Sequence, residues 1–392
     1  MFTVRTRSSD SLARTGTLHL VHGEVQTPAF VPLATRGAVK GLEAHEVAEL
    51  GYELIFANTF HLMLAPGPEL VAGFGGLHEL MRWQRPIITD SGGFQVFSMG
   101  HGRVADEIKG RRRSEGEGRI LSIDEDGVRF RSYVDGRERF LGPEKSMAVQ
   151  AALGSDIALV FDECTPFHVT RDYTARSTER THRWLERCLR WHAEHGPEGQ
   201  AVYGIVQGGV EHDLRLESAA TVAASDCDGI AIGGSLGQEK SQMHEVVSWT
   251  TGVLDERAPD RPRHLLGIGE IDDLIACVAL GIDTFDCAMP TRLGRHGVAL
   301  VPERLDLTKG RFRASQGPIL DGCPCPACRS GYSRAYLHHL LRAGELTAVR
   351  LLTLHNLSFV ARLMEDLRRA IDDGRLSEVS AAVMAGATSS SR

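Results

Sequence analysis

The stretch Ile157-Ala-Leu-Val-Phe-Asp-Glu-Cys164 sets five apolar residues in a row and closes them with two carboxylates. A run that does not alternate suits a strand buried on both faces, as in a parallel sheet. Three similar runs precede it: Thr27-Pro-Ala-Phe-Val-Pro-Leu-Ala-Thr35, Leu54-Ile-Phe-Ala-Asn-Thr-Phe60 and Pro86-Ile-Ile-Thr-Asp90. Four follow it: Val202-Tyr-Gly-Ile-Val-Gln207, Gly229-Ile-Ala-Ile-Gly-Gly234, His264-Leu-Leu-Gly-Ile-Gly269 and Thr284-Phe-Asp-Cys-Ala-Met-Pro290. Helical patterns lie between several of them, over Glu43 to Leu50, Ser177 to His195, Leu214 to Ala224, Ser241 to Leu254 and Asp272 to Leu280. In the second of these, Trp184, Cys188 and Trp191 recur at the spacing of one helix face. Eight strands with helical connections predict an α/β fold, a (β/α)8 TIM barrel, over residues 27–301. A doubly wound sheet is the alternative that the pattern leaves open.

Three regions depart from that rhythm. Residues 1–26 read as an N-terminal β-hairpin. A polar insertion at about 99–145 holds the basic run Lys109-Gly-Arg-Arg-Arg113 and a hairpin signal at Asp135-Gly136. Residues 302–360 hold a cysteine cluster and then helix-like sequence from Ser333 to Arg342. A helical segment over 361–383 and a disordered tail over 384–392 complete the expected organisation.

The cluster is Cys323-Pro-Cys325-Pro-Ala-Cys328, followed by His355. Three thiols in six residues are hard to explain as core packing. The spacing C-x-C-x2-C-x26-H supplies a closed tetrahedral Cys3His zinc set, with His338 and His339 as nearby alternatives to His355. A closed set has no free coordination position, so its zinc is expected to be structural, one ion per chain.

The remaining cysteines, Cys164, Cys188, Cys227, Cys277 and Cys287, are scattered and suggest a reducing, cytoplasmic compartment. The sequence contains no apolar run of transmembrane length and no apolar leader. Of 392 residues 42% are hydrophobic and 24% charged, and the net charge of -7 argues against a globally basic nucleic-acid binder while permitting a local basic face.

In a barrel the chemistry gathers where the strands end. Those ends carry Asp90, Asp162, Gln207, Gly233, Gly234, Gly267 and Asp286. Each aspartate taken singly is also a good helix cap. Three carboxylates in one pocket repel one another, which points to function.

The stretches Thr89-Asp-Ser-Gly-Gly-Phe-Gln-Val-Phe-Ser98, Phe161-Asp-Glu-Cys-Thr165, Tyr203-Gly-Ile-Val-Gln-Gly-Gly209 and Phe285-Asp-Cys-Ala-Met-Pro-Thr-Arg292, with the Cys3His set, resemble the bacterial queuine tRNA-ribosyltransferase (tRNA-guanine transglycosylase) family. The resemblance runs from Thr27 to about Phe359. It implies exchange of guanine at the wobble position of tRNAs with GUN anticodons for a 7-deazaguanine. It implies that Asp286 is the nucleophile toward ribose C1′ and Asp90 the general acid/base. Asp162 and Gln207, with Gly208, Gly233, Gly234 and Gly267, would read the base. Ser91 and Phe94 would lie beside it, Phe94 and Leu266 would sandwich it, and Asn58 would support the carboxylates. Arg292, Arg295, Lys309, Arg311 and Arg313 are the expected clamp on the anticodon loop. The family pattern also implies a homodimer. The segment Gly233-Gly-Ser-Leu-Gly-Gln-Glu239 departs from the Gly-Gly-Leu-Ala-Val-Gly-Glu common in bacterial members, which leaves preQ1 and queuine both open as the incoming base.

Overall fold

Eight short parallel strands form one sheet in the computed structural model, which describes residues 1–101, 120–302 and 304–388. We label them β1 (Ala29–Pro32), β2 (Ile55–Ala57), β3 (Ile87–Thr89), β4 (Ile157–Leu159), β5 (Ala201–Val206), β6 (Gly229–Ile232), β7 (Arg263–Leu265) and β8 (Thr284–Cys287). Each of the eight expected runs overlaps one of them, β5 and β7 each beginning one residue before its run. Their order around the sheet is β1-β8-β7-β6-β5-β4-β3-β2. A parallel bridge between Leu33 and Phe56, with Ala34 N donating to Phe56 O at 2.7 Å, joins β2 back to β1. That closure makes a barrel and rules out the open doubly wound sheet.

The strands are short because each needs only enough length to cross the barrel wall. Ile157, Ala158 and Leu159 are all buried, as the unbroken apolar run requires. The helices cover the outside. The helix Arg171–His195 begins earlier than its apolar periodicity shows, because its first turn is polar and is capped by Thr170, whose hydroxyl accepts from Tyr173 N at 3.3 Å. Its Trp184 is fully buried and packs on Phe161 with ring centroids 4.8 Å apart.

The N-terminal segment forms three antiparallel strands, Phe2–Arg7, Arg14–Leu20 and Gly23–Thr27, one more than a hairpin. It is fastened at the barrel end away from the strand C-termini. Buried Arg14 makes a bidentate pair with buried Asp283, Nε to Oδ1 at 2.9 Å and Nη2 to Oδ2 at 2.6 Å. At the same end His22 and His78 each bond one oxygen of Asp156, at 2.8 and 3.0 Å. Their rings stack at 3.6 Å with 16° between planes.

The polar insertion contributes a second antiparallel sheet, Ile120–Ile123, Val128–Arg131 and Glu138–Leu141, with the turn at Asp135-Gly136 closed by Gly136 N to Ser132 O at 2.9 Å. The basic run Lys109 to Arg113 lies outside the described residues. After β8 come the helix Met289–Arg295, the cysteine segment, the helix Arg334–Ala343 and the long helix Leu346–Asp372. The helix Leu376–Thr388 enters the segment expected to be a tail, and residues 389–392 lie outside the described residues.

Candidate active site and structural metal centre

Parallel strands deliver their C-terminal ends to one face of the barrel. Asp90 directly follows β3, Asp162 lies just beyond β4, and Asp286 sits within β8. All three are buried, at 9%, 4% and 6% exposure, which is far below what unpaired surface carboxylates show.

Asp90 is gripped by the segment after β2. Thr59 N donates to Asp90 Oδ1 at 2.8 Å, and the Asn58 side-chain amide donates to Oδ2. Thr59 Oγ1 also donates to the Asp90 carbonyl at 2.5 Å. Asn58 caps the short helix Thr59–Leu64, its Oδ1 accepting from His61 N at 3.0 Å. The cap therefore aims its amide at the carboxylate. Burial pushes the Asp90 carboxyl up to about 7, with Asp286 and Asp162 adding to the rise and the Thr59 and Gly92 amides opposing it.

Asp162 faces a different set of donors. Ser91 Oγ donates to Oδ1 at 2.9 Å and Gln207 Nε2 to Oδ2 at 2.6 Å. Burial pushes this carboxyl up to about 6 against those two hydrogen bonds. Gly234 follows β6 in the left-handed region at φ 83°, and a Cβ there would collide with Gln207 Oε1. Glycine is thus required where that loop passes Gln207. Gly208 and Gly233 are buried beside the same loop, and Phe94 stands 38% exposed in the first turn of the helix Gly93–His101, which follows Asp90 and Ser91. Leu266 is half-buried after β7.

Asp286 is held asymmetrically. His264 Nε2 and Gly267 N both meet its Oδ1 at 3.1 Å. Gly267 has φ 78°, the left-handed turn that brings its amide round to the carboxylate. His264 lies on β7, is fully buried, and places Nδ1 2.8 Å from Thr284 Oγ1. Sequence reasoning used His264 only to mark the start of an apolar run. Its signal was a histidine opening the apolar stretch His264-Leu-Leu266.

The basic residues expected to hold RNA are all exposed. Arg292 and Arg295 lie on the helix Met289–Arg295, directly after the Asp286 strand, and Lys309, Arg311 and Arg313 lie on and beside the turn Gly310–Phe312.

The cysteines and His355 come together as a buried group. His355 Nδ1 lies 3.8, 3.5 and 3.5 Å from the sulfurs of Cys323, Cys325 and Cys328. Tetrahedral zinc with ordinary Zn–S and Zn–N bonds separates sulfur from nitrogen by about 3.6 Å. The donor set thus fits that ion and excludes His338, whose Nδ1 is engaged with Leu307 O at 2.8 Å. His355 Nε2 lies 2.8 Å from the Leu300 carbonyl, which fixes the tautomer that leaves Nδ1 free to ligate. The four residues form a structural zinc site. The next residue, Asn356, donates to the carbonyls of Pro290 and Val298 at 3.0 Å each. The zinc-bearing helix is therefore tied to the helix that follows Asp286.

A family model described as queuine tRNA-ribosyltransferase matches residues 9–389. Proteins described by the same words are similar over nearly their whole lengths. The one from Roseiflexus sp. (strain RS-1) is 48% identical, covering 97% of this chain and 98% of its own. That from Protochlamydia amoebophila (strain UWE25) is 46% identical, covering 94% of each. That from Pelotomaculum thermopropionicum is 44% identical, covering 96% and 95%.

Proposed function

The chain belongs to the queuine tRNA-ribosyltransferase family, and from that premise we propose how the end of its barrel performs tRNA-guanine transglycosylation. The protein is a pentosyltransferase. On our reading it exchanges guanine at wobble position 34 of tRNAs with GUN anticodons, those for Asp, Asn, His and Tyr, for a 7-deazaguanine, preQ1 or queuine. It works in the cytoplasm as a homodimer. Among the described residues no helix is long and apolar enough to cross a membrane.

Asp286 attacks ribose C1′. The C1′–N9 bond breaks, its electron pair passes to the guanine, and Asp90 supplies the proton that lets the base leave neutral. The ribose is then an ester of Asp286. The incoming base gives a proton to Asp90, bonds to C1′ through its nitrogen, and displaces the Asp286 carboxylate. This is the two-carboxylate logic of a retaining glycosidase, with a base in place of water. Asp162 and Gln207 read the guanine edge, and Phe94 and Leu266 supply flat walls that keep water from the ester. Cys323, Cys325, Cys328 and His355 would hold a zinc ion that braces the C-terminal subdomain and would take no part in the exchange. Arg292, Arg295, Lys309, Arg311 and Arg313 take the anticodon-loop phosphates.

The observation that supports this reading is the difference between two buried carboxylates. Asp90 is pushed up to about 7, within reach of the pH at which an acid must also act as a base. Asp286 keeps one oxygen tied at Oδ1. The test is incubation of the protein with unmodified tRNA and labelled guanine. Label should enter the tRNA, and a denaturant-resistant protein–tRNA adduct should form that Asp286→Ala lacks. Abasic tRNA would make the enzyme a hydrolase, and a persisting adduct would move the nucleophile elsewhere.

A further inference from the structure

Among the described residues the hydrogen bonds of Asp286 all fall on Oδ1, from His264 and from Gly267. An ionised carboxylate only accepts, so His264 must carry its proton on Nε2. Thr284 Oγ1 satisfies Nδ1 from the other side, whether the ring is neutral or charged. The ring cannot swing away, since it is fully buried and stacks on Phe56 with centroids 5.9 Å apart. A tautomer locked by two partners and a ring locked by packing make a fixed donor aimed at one oxygen.

We propose that His264 is a positioning residue for Asp286, holding Oδ1 so that Oδ2 is the oxygen that bonds to ribose C1′. The inference rests on the reading of Asp286 as nucleophile. It adds which oxygen reacts and what sets it. When Oδ2 forms the ester, Oδ1 becomes a carbonyl oxygen and a weaker acceptor. When the incoming base displaces the ester, negative charge returns to the carboxylate and both donors strengthen. His264 and the Gly267 amide therefore favour release of the ribose to the new base, and they keep the ester from becoming a resting state.

Three substitutions separate this role from packing. His264→Phe keeps the ring and the stacking on Phe56 and removes the donor. His264→Gln loses the ring and keeps an N–H at similar reach. His264→Tyr keeps a ring and carries an O–H toward Asp286. Positioning predicts that Phe lowers kcat for guanine exchange and the single-turnover rate of adduct formation by about 100-fold, as a misplaced reacting atom does. KM for tRNA should stay within about threefold, because His264 acts on Asp286 and its loss misplaces the reacting oxygen without removing a contact to tRNA. Gln or Tyr should recover at least a tenth of the wild-type rate. Packing alone predicts the reverse order, with Phe nearest to wild type. Thermal unfolding of each variant checks the fold, and either rescue suffices if the other variant unfolds. A Phe variant at the wild-type rate, or Gln and Tyr both no better than Phe, overturns the proposal while leaving the exchange reaction intact. A wild-type protein that forms no adduct and incorporates no guanine overturns the underlying reading, and the role of His264 with it.

Discussion

The backbone N–H of Thr59 donates to Asp90 Oδ1 at 2.8 Å, so the carboxyl at the end of β3 is held by the chain leaving β2. That grip favours the ionised form, and burial overrides it, leaving the group at about 7. Burial, opposed by the amide bonds but outweighing them, sets an acid that changes state near neutrality.

The exchange rate should follow that state. On the proposed mechanism Asp90 holds, below about 7, the proton the leaving guanine needs, and above it the proton is lost. We expect kcat/KM for tRNA, which reports the free enzyme, to fall as pH rises through that value, by about tenfold per unit beyond it. Asn58→Ala removes a donor to the ionised form, so its falling limb should move to higher pH. A limb that stays in place, measured by labelled guanine incorporation across pH 5–9, would show that Asp90 is not the titrating acid.

Stability should carry the same signature. The folded pKa is raised from 3.8 to about 7, so the unfolded chain releases its proton first. Stability tied to Asp90 is complete below pH 3.8 and is lost as pH rises toward and through about 7. The cost above that point is of order 4 kcal/mol. Asp90→Asn removes the charge. Its thermal midpoint relative to wild type should therefore be higher at pH 8 than at pH 5. Reading the difference between the two pH values cancels whatever the new amide does to Asn58 and Thr59. Equal shifts at both would mean that Asp90 is ionised throughout.

Metal removal should act from outside the pocket inward. Structural zinc contributes of order 10 kcal/mol to small domains that it folds. Chelation, or Cys328→Ser, should first loosen the segment between Lys309 and His355, costing tRNA binding and dimerisation. Guanine binding, followed by calorimetry, should persist at zinc levels where tRNA binding has gone. Simultaneous loss of both would place the zinc under the pocket itself.

The exposed basic residues predict a salt effect. If Arg292 and Lys309 each neutralise one phosphate, replacing either with alanine should lower the slope of log affinity for tRNA against log salt by about one contact's worth. Affinity for free guanine should not change. An unaltered slope would remove that residue from the RNA face.

The barrel was legible because its strands are buried on both faces. Runs such as Ile157-Ala-Leu-Val-Phe leave little choice of environment, and the carboxylates that end them mark the pocket. The zinc set was legible because its spacing is local. What stayed hidden was long-range. Nothing in the chain announces that Arg14 will meet Asp283, or that Thr59 will present its amide to Asp90. His264 was hidden because, with Arg263 before it, it reads as the polar edge of the apolar run. The sheet Ile120–Leu141 was only partly visible, since arginines and glutamates dilute an alternation that Val128, Arg129, Phe130 and Arg131 in fact keep.

The join between β1 and β2 has a further consequence. Neighbouring strands elsewhere share two or more register pairs, whereas here one bridge and the Ala34 amide close the cylinder. Deuterium should enter at Ala34 sooner than in the wall formed by β4, β5 and β6. Phe56 lies two residues before Asn58, so a parting of this seam would slacken the hold on Asp90 and shift its affinity for the proton. Exchange at Ala34 and the titration of Asp90 would then report one equilibrium, measurable from either end.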